Sequence, residues 1–297
     1  MNFADRLDAS GRNNGSFIVA GFDPVIETLP AFIIKEAGSR EDPVYRALTG
    51  FHEIALEALS TSIAAVKPNF GFFIQYGLSG VKAFQSICAM AQGHGLPVIA
   101  DAKVGDIGNT AKAYSSAFLG ARGFNVDALT VNPYLGFDTL EPFLEECAGR
   151  DKGIFVLVKT SNPGSADLQN SRLDEGASLC EKIAEWASKR GALLRGDCGY
   201  SSLGAVVGAT YPHEAKLLRS LMPDNLFLIP GMGAQGGSAQ DAVQGFSARG
   251  AGAVINLSRA LLGAFSPATD SPQALAQEIS ERAGRYNAQI ANALAQV

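Results

Sequence analysis

The sequence predicts a single (β/α)8 barrel, and three observations carry that prediction. Eight short apolar runs recur along the 297 residues, and a segment long enough for a helix separates each run from the next. The runs are nearly continuous rather than alternating, which is typical of parallel strands covered on both faces. Polar residues follow almost every run, as expected at the end of a barrel where active sites are built. A doubly wound sheet, the main alternative, usually has fewer strands and fewer polar strand ends.

The predicted strands span 17–23, 64–67, 97–101, 128–132, 154–159, 205–208, 226–230 and 253–257. Helix-start signals lie between them. Ser178 and Glu181 have capping-box spacing, and Ser271 precedes a proline that suits the first turn of a helix. We expect one domain over 1–297, with insertions after strand one at about 24–50 and after strand five at about 161–175. The second insertion is either a mobile lid or an ordered surface loop.

Composition excludes several classes of protein. The formal net charge is -5 and no Lys/Arg cluster is visible, so we expect no nucleic-acid partner. No apolar run approaches the roughly 20 residues that span a bilayer, and the first residues lack the apolar core of a secretory signal. The 4 cysteines form no CxxC pair and the 3 histidines form no HxxxH or HxH pair. We therefore expect a cytoplasmic protein with reduced thiols and no metal site.

The stretch from 101 to 110, DAKVGDIGNT, is the most informative segment. It follows an apolar strand and places Asp101 and Lys103 on one strand face, with Asp106 in the turn beyond. Charged groups gathered at a strand end are costly to hold unless chemistry needs them. A structural ion-pair network is the alternative. The pattern favours a catalytic site.

Two other segments suggest substrate-binding groups. The run Gly231-x-Gly233-x-x-Gly236 formally matches a dinucleotide fingerprint, but it follows strand seven rather than strand one. Barrels commonly bind phosphate after strands seven and eight, so the run indicates a monophosphate site instead. Arg259, just past strand eight, is placed to pair with that phosphate.

Single polar residues end the first two strands. Lys67 follows an apolar run and precedes Pro-Asn-Phe, which favours a position lining the barrel over a solvated surface lysine. Asp23 is either a turn former before Pro24 or a binding residue at the end of strand one.

The DxKxxDIGNT pattern resembles the signature of the orotidine 5'-phosphate decarboxylase family. The segments KTSNPG, from 159, and PGMGAQGG, from 230, look like its bacterial type 2 branch. The resemblance implies a lyase that converts orotidine 5'-monophosphate to UMP without metal or organic cofactor, the last step of de novo pyrimidine nucleotide synthesis. It also implies a homodimer with shared active sites.

The resemblance further implies a role for each matching residue. Asp101, Lys103 and Lys67 would form a charged array, which Asp106 of the second subunit completes. In this mechanism the Lys103 ammonium, kept charged by carboxylates on either side, stabilises the carbanion left at C6 and donates the proton. The residues implied to bind substrate are Asp23, Thr110 (from the other subunit), Ser161, Gly231, Gly233, Gln235, Gly236 and Arg259.

Two alternatives remain at this point. The first is a Mg²⁺-dependent sugar-phosphate decarboxylase or aldolase of the same superfamily, although such relatives place an acidic metal ligand on strand two, where this chain has Lys67. The second is a non-catalytic nucleotide-binding barrel, which would have no need to retain the whole array.

Overall fold

The computed structural model describes residues 1–233, 236–266 and 268–296, and these form the predicted barrel. Eight parallel strands are hydrogen-bonded in the order β2-β1-β8-β7-β6-β5-β4-β3. Parallel bridges between Val66 and Val98 and between Asn69 and Asp101 join the two outer strands and close the ring. The strands are β1 (Ile18–Phe22), β2 (Ala65–Pro68), β3 (Ile99–Val104), β4 (Ala128–Val131), β5 (Gly153–Lys159), β6 (Ser201–Val207), β7 (Asn225–Ile229) and β8 (Ala253–Leu257).

Most helices follow a strand and cover the outside of the barrel, whereas the first precedes β1. They are α1 (Phe3–Asn13), α2 (Ala31–Gly38), α3 (Pro43–Leu59), α4 (Phe70–Ile74), α5 (Gly77–Gly93), α6 (Gly108–Phe118), α7 (Glu141–Arg150), α8 (Ala166–Gln169), α9 (Leu179–Gly191), α10 (Pro212–Leu221), α11 (Ala239–Val243), α12 (Arg259–Leu262) and α13 (Pro272–Leu294). Short 3₁₀ helices lie at Ile26–Thr28, Phe137–Leu140, Pro163–Ser165 and Ala192–Leu194. The segment 24–50 therefore contains α2 and the start of α3.

The predicted helix starts are confirmed. The Ser178 hydroxyl accepts from the Glu181 N–H and the Glu181 carboxylate accepts in return from the Ser178 N–H, so α9 begins with a capping box. Ser271 caps α13 by accepting from the N–H of Ala274. Each cap satisfies helix N–H groups that otherwise have no partner within the helix.

Two apolar layers hold the barrel together. The larger lies between the strands and the surrounding helices, as expected for strands buried on both faces. The smaller fills the barrel at the amino ends of the strands, where α1 closes the bottom and the Phe3 ring packs edge-on against Phe155, 5.9 Å between centroids. With the bottom filled, the open end of the barrel is at the carboxyl ends of the strands. No helix in the described parts of the chain is long and apolar enough to cross a membrane.

Candidate active site

A cavity of about 350 Å³ opens at the carboxyl ends of the strands. Apolar side chains of Val206 and Leu228 form part of its floor, and polar side chains surround them. Of the residues predicted to act on or bind substrate, those lining this cavity are Asp23, Lys67, Asp101, Lys103, Ser161, Gly231 and Arg259. The structure thus gathers strand-end residues that are up to 236 positions apart in the sequence, 259 minus 23.

Asp101 lies between two lysine ammonium groups. Its Oδ1 accepts a hydrogen bond from Lys103 Nζ at 2.5 Å, and its Oδ2 accepts one from Lys67 Nζ. The Lys67 and Asp101 side chains are buried, whereas 48% of the Lys103 side chain is exposed. All three residues line the cavity, and Lys103 is the most exposed member of the array.

The charge state of Asp101 follows from its two neighbours. Burial raises its pKa, but the charges of Lys67 and Lys103 and the hydrogen bonds that they donate lower it by more. The net result is a pKa well below the usual range for an aspartate, so the carboxylate is ionised at neutral pH. Two ammonium groups beside one carboxylate leave one excess positive charge in this part of the cavity, which a further carboxylate or an anionic ligand can balance.

Strand β3 is irregular where it carries the array. From 100 to 104 it advances four residues while β4 advances two, from 129 to 131, so β3 contains a bulge. Lys103 has a φ of 47°, in the left-handed region that non-glycine residues seldom adopt. The predicted proximity of Asp101 and Lys103 is correct, but the regular strand alternation given as its reason is wrong here. The bulge, rather than a regular pleat, sets the geometry.

Thr130 holds this bulge. Its Oγ1 accepts hydrogen bonds from the N–H groups of Ala102, at 3.1 Å, and Lys103, at 2.9 Å. The same hydroxyl donates to Asp101 Oδ1 at 3.0 Å. One hydroxyl provides one donor and two acceptor sites, so Thr130 uses all of them. The Thr130 hydroxyl thereby fixes the Asp101 carboxylate relative to the backbone of Lys103.

Two buried oxygens in the cavity wall lack a partner. Neither Asp23 Oδ1 nor Asn256 Oδ1 has a hydrogen-bond donor among the described residues. A buried polar atom without a partner costs free energy, so each oxygen calls for a donor beyond those that the described residues supply. Hydroxyl groups of a bound ligand are suitable donors. The Asp23 carboxylate thus has the surroundings of a binding residue rather than of a turn former.

The glycine-rich loop after β7 turns through conformations that favour glycine. Gly231, Gly233 and Gly236 have φ values of 106°, 80° and 90°. The Gly233 N–H donates to the carbonyl of Gly237 and the Gly236 N–H to that of Gly233, both at 2.9 Å. These N–H groups are already used within the loop, which leaves Arg259 as the clearest anion-binding group at this side of the cavity. Gln235 lies outside the described residues.

Two residues that the resemblance assigns to the site of the second subunit lie outside the cavity of their own chain. Asp106 lies beyond β3, where its Oδ1 accepts from the N–H of Ile107 at 2.8 Å. Thr110 is exposed on α6. The cavity is lined by neither side chain within the described chain. Their positions leave both side chains available to another molecule.

The prediction from sequence missed several cavity residues. Thr130, in β4, and Asn256, in β8, are polar residues inside otherwise apolar strands, and that exception was a usable signal. Asn69, Thr160, Asn162 and Ser258 also line the cavity, and each follows a strand end. Among the described residues, no group of three or more His, Cys, Asp or Glu is placed to hold a metal ion.

Comparisons with known proteins identify the family of this chain. The family model described as "Orotidine 5'-phosphate decarboxylase / HUMPS family" matches residues 47–273. The chain belongs to this family. A Rhodopirellula baltica protein named orotidine 5'-phosphate decarboxylase is 43% identical over 281 residues, covering 91% of this chain and 93% of the relative. A Thermomicrobium roseum protein of the same name is 37% identical over 294 residues, 98% of each chain.

A solved structure extends the comparison to three dimensions. The structure of Leishmania donovani OMP decarboxylase superposes with a TM-score of 0.72 at 33% identity, covering 97% of this chain and 99% of that one. The family description joins two kinds of enzyme, whereas the relatives at high coverage carry the decarboxylase name alone.

Proposed function

We propose that this protein converts orotidine 5'-monophosphate to UMP and CO₂, the last step of de novo pyrimidine nucleotide synthesis, using side chains alone. The observation that carries the proposal is the half-exposed Lys103 side chain, whose ammonium is held against Asp101 in the wall of the cavity. Membership of the decarboxylase family and the names of the relatives support it.

The chemistry needs a cation at one carbon. Loss of CO₂ from C6 of the pyrimidine leaves a carbanion that no ring carbonyl is placed to delocalise. A preorganised positive group at that carbon stabilises charge as it develops in the transition state. We assign this role to Lys103, which then donates the proton that completes UMP. Lys67, buried against the other oxygen of Asp101, orients the array and is near enough to the cavity to bind ribose hydroxyls.

Asp101 has a second effect on the substrate. Placed about 4 Å from the substrate carboxylate, it would repel it by about 4 kcal/mol at an effective dielectric constant near 20. Large enzymatic rate enhancements require a barrier reduction of up to about 23 kcal/mol. Repulsion alone is therefore too small, and we rank carbanion stabilisation above it. Binding energy from the remote phosphate supplies part of the rest by orienting the reacting ring.

The remaining cavity residues bind the other parts of the substrate. Asp23, with its unpartnered buried oxygen, accepts from the ribose hydroxyls. Ser161 contacts the pyrimidine. Arg259 pairs with the phosphate beside Gly231. A contribution of Gly233, Gln235 and Gly236 to the phosphate site stays a prediction of the sequence.

The site is completed by a second copy of the chain. Within the described chain Asp106 and Thr110 do not line their own cavity, and exposed apolar side chains lie on the segments that follow β2, β3 and β4. Those side chains are Ile74, Leu78, Ile107, Tyr114, Tyr134 and Leu135, and Leu78 and Tyr134 are 89% and 74% exposed. Adjacent strands bring these segments to one side of the barrel, where burial against a partner would remove the apolar surface from water.

Charge supports the same assembly. The array of one chain carries one excess positive charge, and the carboxylate of the partner subunit's Asp106 would neutralise it on the side opposite Asp101. In a two-fold symmetric dimer the same surface of each chain forms the interface, so each chain can contribute its Asp106 to the site of the other. We propose such a homodimer with shared active sites. A cytoplasmic location stays a prediction of the sequence.

One measurement separates this function from its alternatives. Purified protein, freed of metal with EDTA, is mixed with orotidine 5'-monophosphate, and the ultraviolet absorbance of the substrate is followed. We expect conversion to UMP at a rate that added Mg²⁺ does not change, and none with Lys103→Ala prepared in parallel. Conversion that needs Mg²⁺ would favour the metal-dependent decarboxylase or aldolase. Tight binding without conversion would favour a non-catalytic barrel.

A further inference from the structure

A second lysine ends the strand next to the site but takes no part in the array. Lys159, the last residue of β5, is fully buried. Its Nζ donates to Asn170 Oδ1 at 2.7 Å and lies 4.3 Å from the centroid of the Tyr211 ring. Both partners are neutral, and a buried ammonium is costly unless its surroundings are well fixed. Its position therefore constrains the two segments that carry Asn170 and Tyr211.

The first of these segments holds the residue that follows Lys159. Gln169 is the last residue of α8, next to Asn170, and its side-chain amide forms two hydrogen bonds with Thr160. The Gln169 Oε1 accepts from the Thr160 N–H and the Gln169 Nε2 donates to Thr160 Oγ1, both at 2.9 Å. Thr160 lines the cavity. The Lys159–Asn170 hydrogen bond thus fixes the end of α8 that in turn holds this part of the wall.

The second segment holds the next two residues of the wall. The Thr210 hydroxyl donates to the carbonyl of Ser161 at 3.1 Å, and the Tyr211 hydroxyl donates to that of Asn162 at 3.2 Å. Gly208 packs under the same strand end, where an added Cβ would lie 2.9 Å from the Cα of Ser161. Ser161 is therefore enclosed on the side away from the cavity and can present only its other side to a ligand.

We propose that Lys159, Asn170 and Tyr211 form a clasp that positions Ser161 against the pyrimidine of the substrate. Two segments hold this part of the cavity wall: the end of α8 and the turn after β6. Lys159 contacts both of them through one buried ammonium group, which cannot rotate into solvent. It is a positioning residue and need not touch the substrate. The inference rests on the proposed contact between Ser161 and the base.

The test compares two ligands and two matched variants. UMP carries the base, whereas ribose 5-phosphate lacks it. A misplaced Ser161 therefore weakens the binding of UMP and leaves that of ribose 5-phosphate unchanged. In Lys159→Met we expect the inhibition constant of UMP to rise about 10-fold while that of ribose 5-phosphate stays unchanged. Lys152→Met is the control, because Lys152 precedes the same strand at the opposite end of the barrel, is buried and donates to Asn125 Oδ1 at 2.9 Å. It should change neither constant.

Further variants keep the proposal testable if Lys159→Met does not fold. Asn170→Ala, at an exposed position, removes the hydrogen-bond acceptor of the ammonium and should give the same selective loss for UMP. Ser161→Ala tests the contact on which the inference rests. Selective loss in Ser161→Ala with unchanged UMP binding in Lys159→Met and Asn170→Ala would overturn the clasp alone. Unchanged UMP binding in Ser161→Ala would overturn the role of Ser161 and the clasp with it.

Discussion

The hydroxyl of Thr130 holds the backbone of Lys103 in a left-handed conformation, by accepting the Lys103 N–H at 2.9 Å. The same oxygen accepts the N–H of Ala102 and donates to the carboxylate of Asp101. The side chain of a neighbouring strand thus replaces the ladder hydrogen bonds that the bulge in β3 interrupts. The ammonium to which we assign the proton transfer is therefore positioned through the hydroxyl of Thr130, which need not contact the substrate.

Replacement of Thr130 by valine should lower both stability and turnover. Valine keeps the shape but leaves two part-buried backbone N–H groups without their acceptor, and the loss of the acceptor costs about 1–3 kcal/mol for a group that is fully buried. We expect the free energy of unfolding to fall by an amount of that order and kcat to fall about 10-fold or more. Urea denaturation and steady-state kinetics measure the two effects. Thr130→Ser keeps the hydroxyl and should recover most of kcat, and equal kcat in valine and serine variants would contradict the assignment.

Mixing two inactive variants should restore activity if sites are shared. In a homodimer of either variant, Lys103→Ala or Asp106→Asn, both active sites lack an essential group. In a mixed dimer one site has lost both groups, while the other has Lys103 from one chain and Asp106 from the other. Random exchange at equal concentrations should therefore restore about one quarter of the wild-type activity per site. The measurement is turnover after co-refolding, and mixtures no more active than the separate variants would exclude a shared site.

Removal of the Arg259 guanidinium should weaken phosphate binding specifically. Charge-assisted hydrogen bonds to a phosphate are worth about 1.5–3 kcal/mol, so Arg259→Ala should raise the dissociation constant of UMP about 10- to 100-fold. The affinity for uridine, which lacks the phosphate, should not change. Arg249→Ala, at an exposed position before β8 and hence at the opposite end of the barrel, is the matched control. Calorimetry on both ligands checks this, and an equal loss for uridine would count against a phosphate contact.

His52 should make the protein less stable in mild acid. Burial lowers its pKa from 6.5 to about 4, although the hydrogen bond to the Leu48 carbonyl raises it in part. Because the folded state binds the proton less readily than the unfolded state, stability is full above pH 6.5 and falls as the pH drops towards 4. The loss amounts to about 3 kcal/mol.

The His52→Gln variant isolates this effect. Glutamine carries no titrating group, so its free energy of unfolding should fall by about 3 kcal/mol less than that of the wild type between pH 6.5 and 4. Chemical denaturation at several pH values within this window gives the comparison. Parallel pH dependences for the two proteins would show that His52 does not titrate on unfolding.

The positions of the strand ends could be predicted because parallel strands need apolar side chains on both faces. Asp23, Lys67, Asp101 and Lys103 break that rule where the strands end, and the structure brings them to one cavity. Strand β6 begins four residues before the predicted start at 205, because the polar Ser201 and Ser202 are buried within it. Hydroxyl groups that bond locally are compatible with a buried strand, and composition alone does not reveal them.

Other parts of the site depend on contacts that no local pattern encodes. The role of Thr130 follows from the bulge, which sets three residues of β3 against one of β4. The surroundings of Lys159 are assembled from α8 and the turn after β6, up to 52 residues further along the chain, 211 minus 159. Such long-range register and packing are properties of the folded chain, so only the structure could show them.

The catalytic role of the Lys103 ammonium is tested most directly by Lys103→Ala. Decarboxylation of orotidine 5'-monophosphate is followed by absorbance, UMP binding by calorimetry, and Lys35→Ala, at an exposed position on α2, serves as the control. We predict that Lys103→Ala has no measurable turnover and still binds UMP, whereas Lys35→Ala matches the wild type. Turnover by Lys103→Ala close to that of the wild type would contradict the assignment of Lys103 as the proton donor.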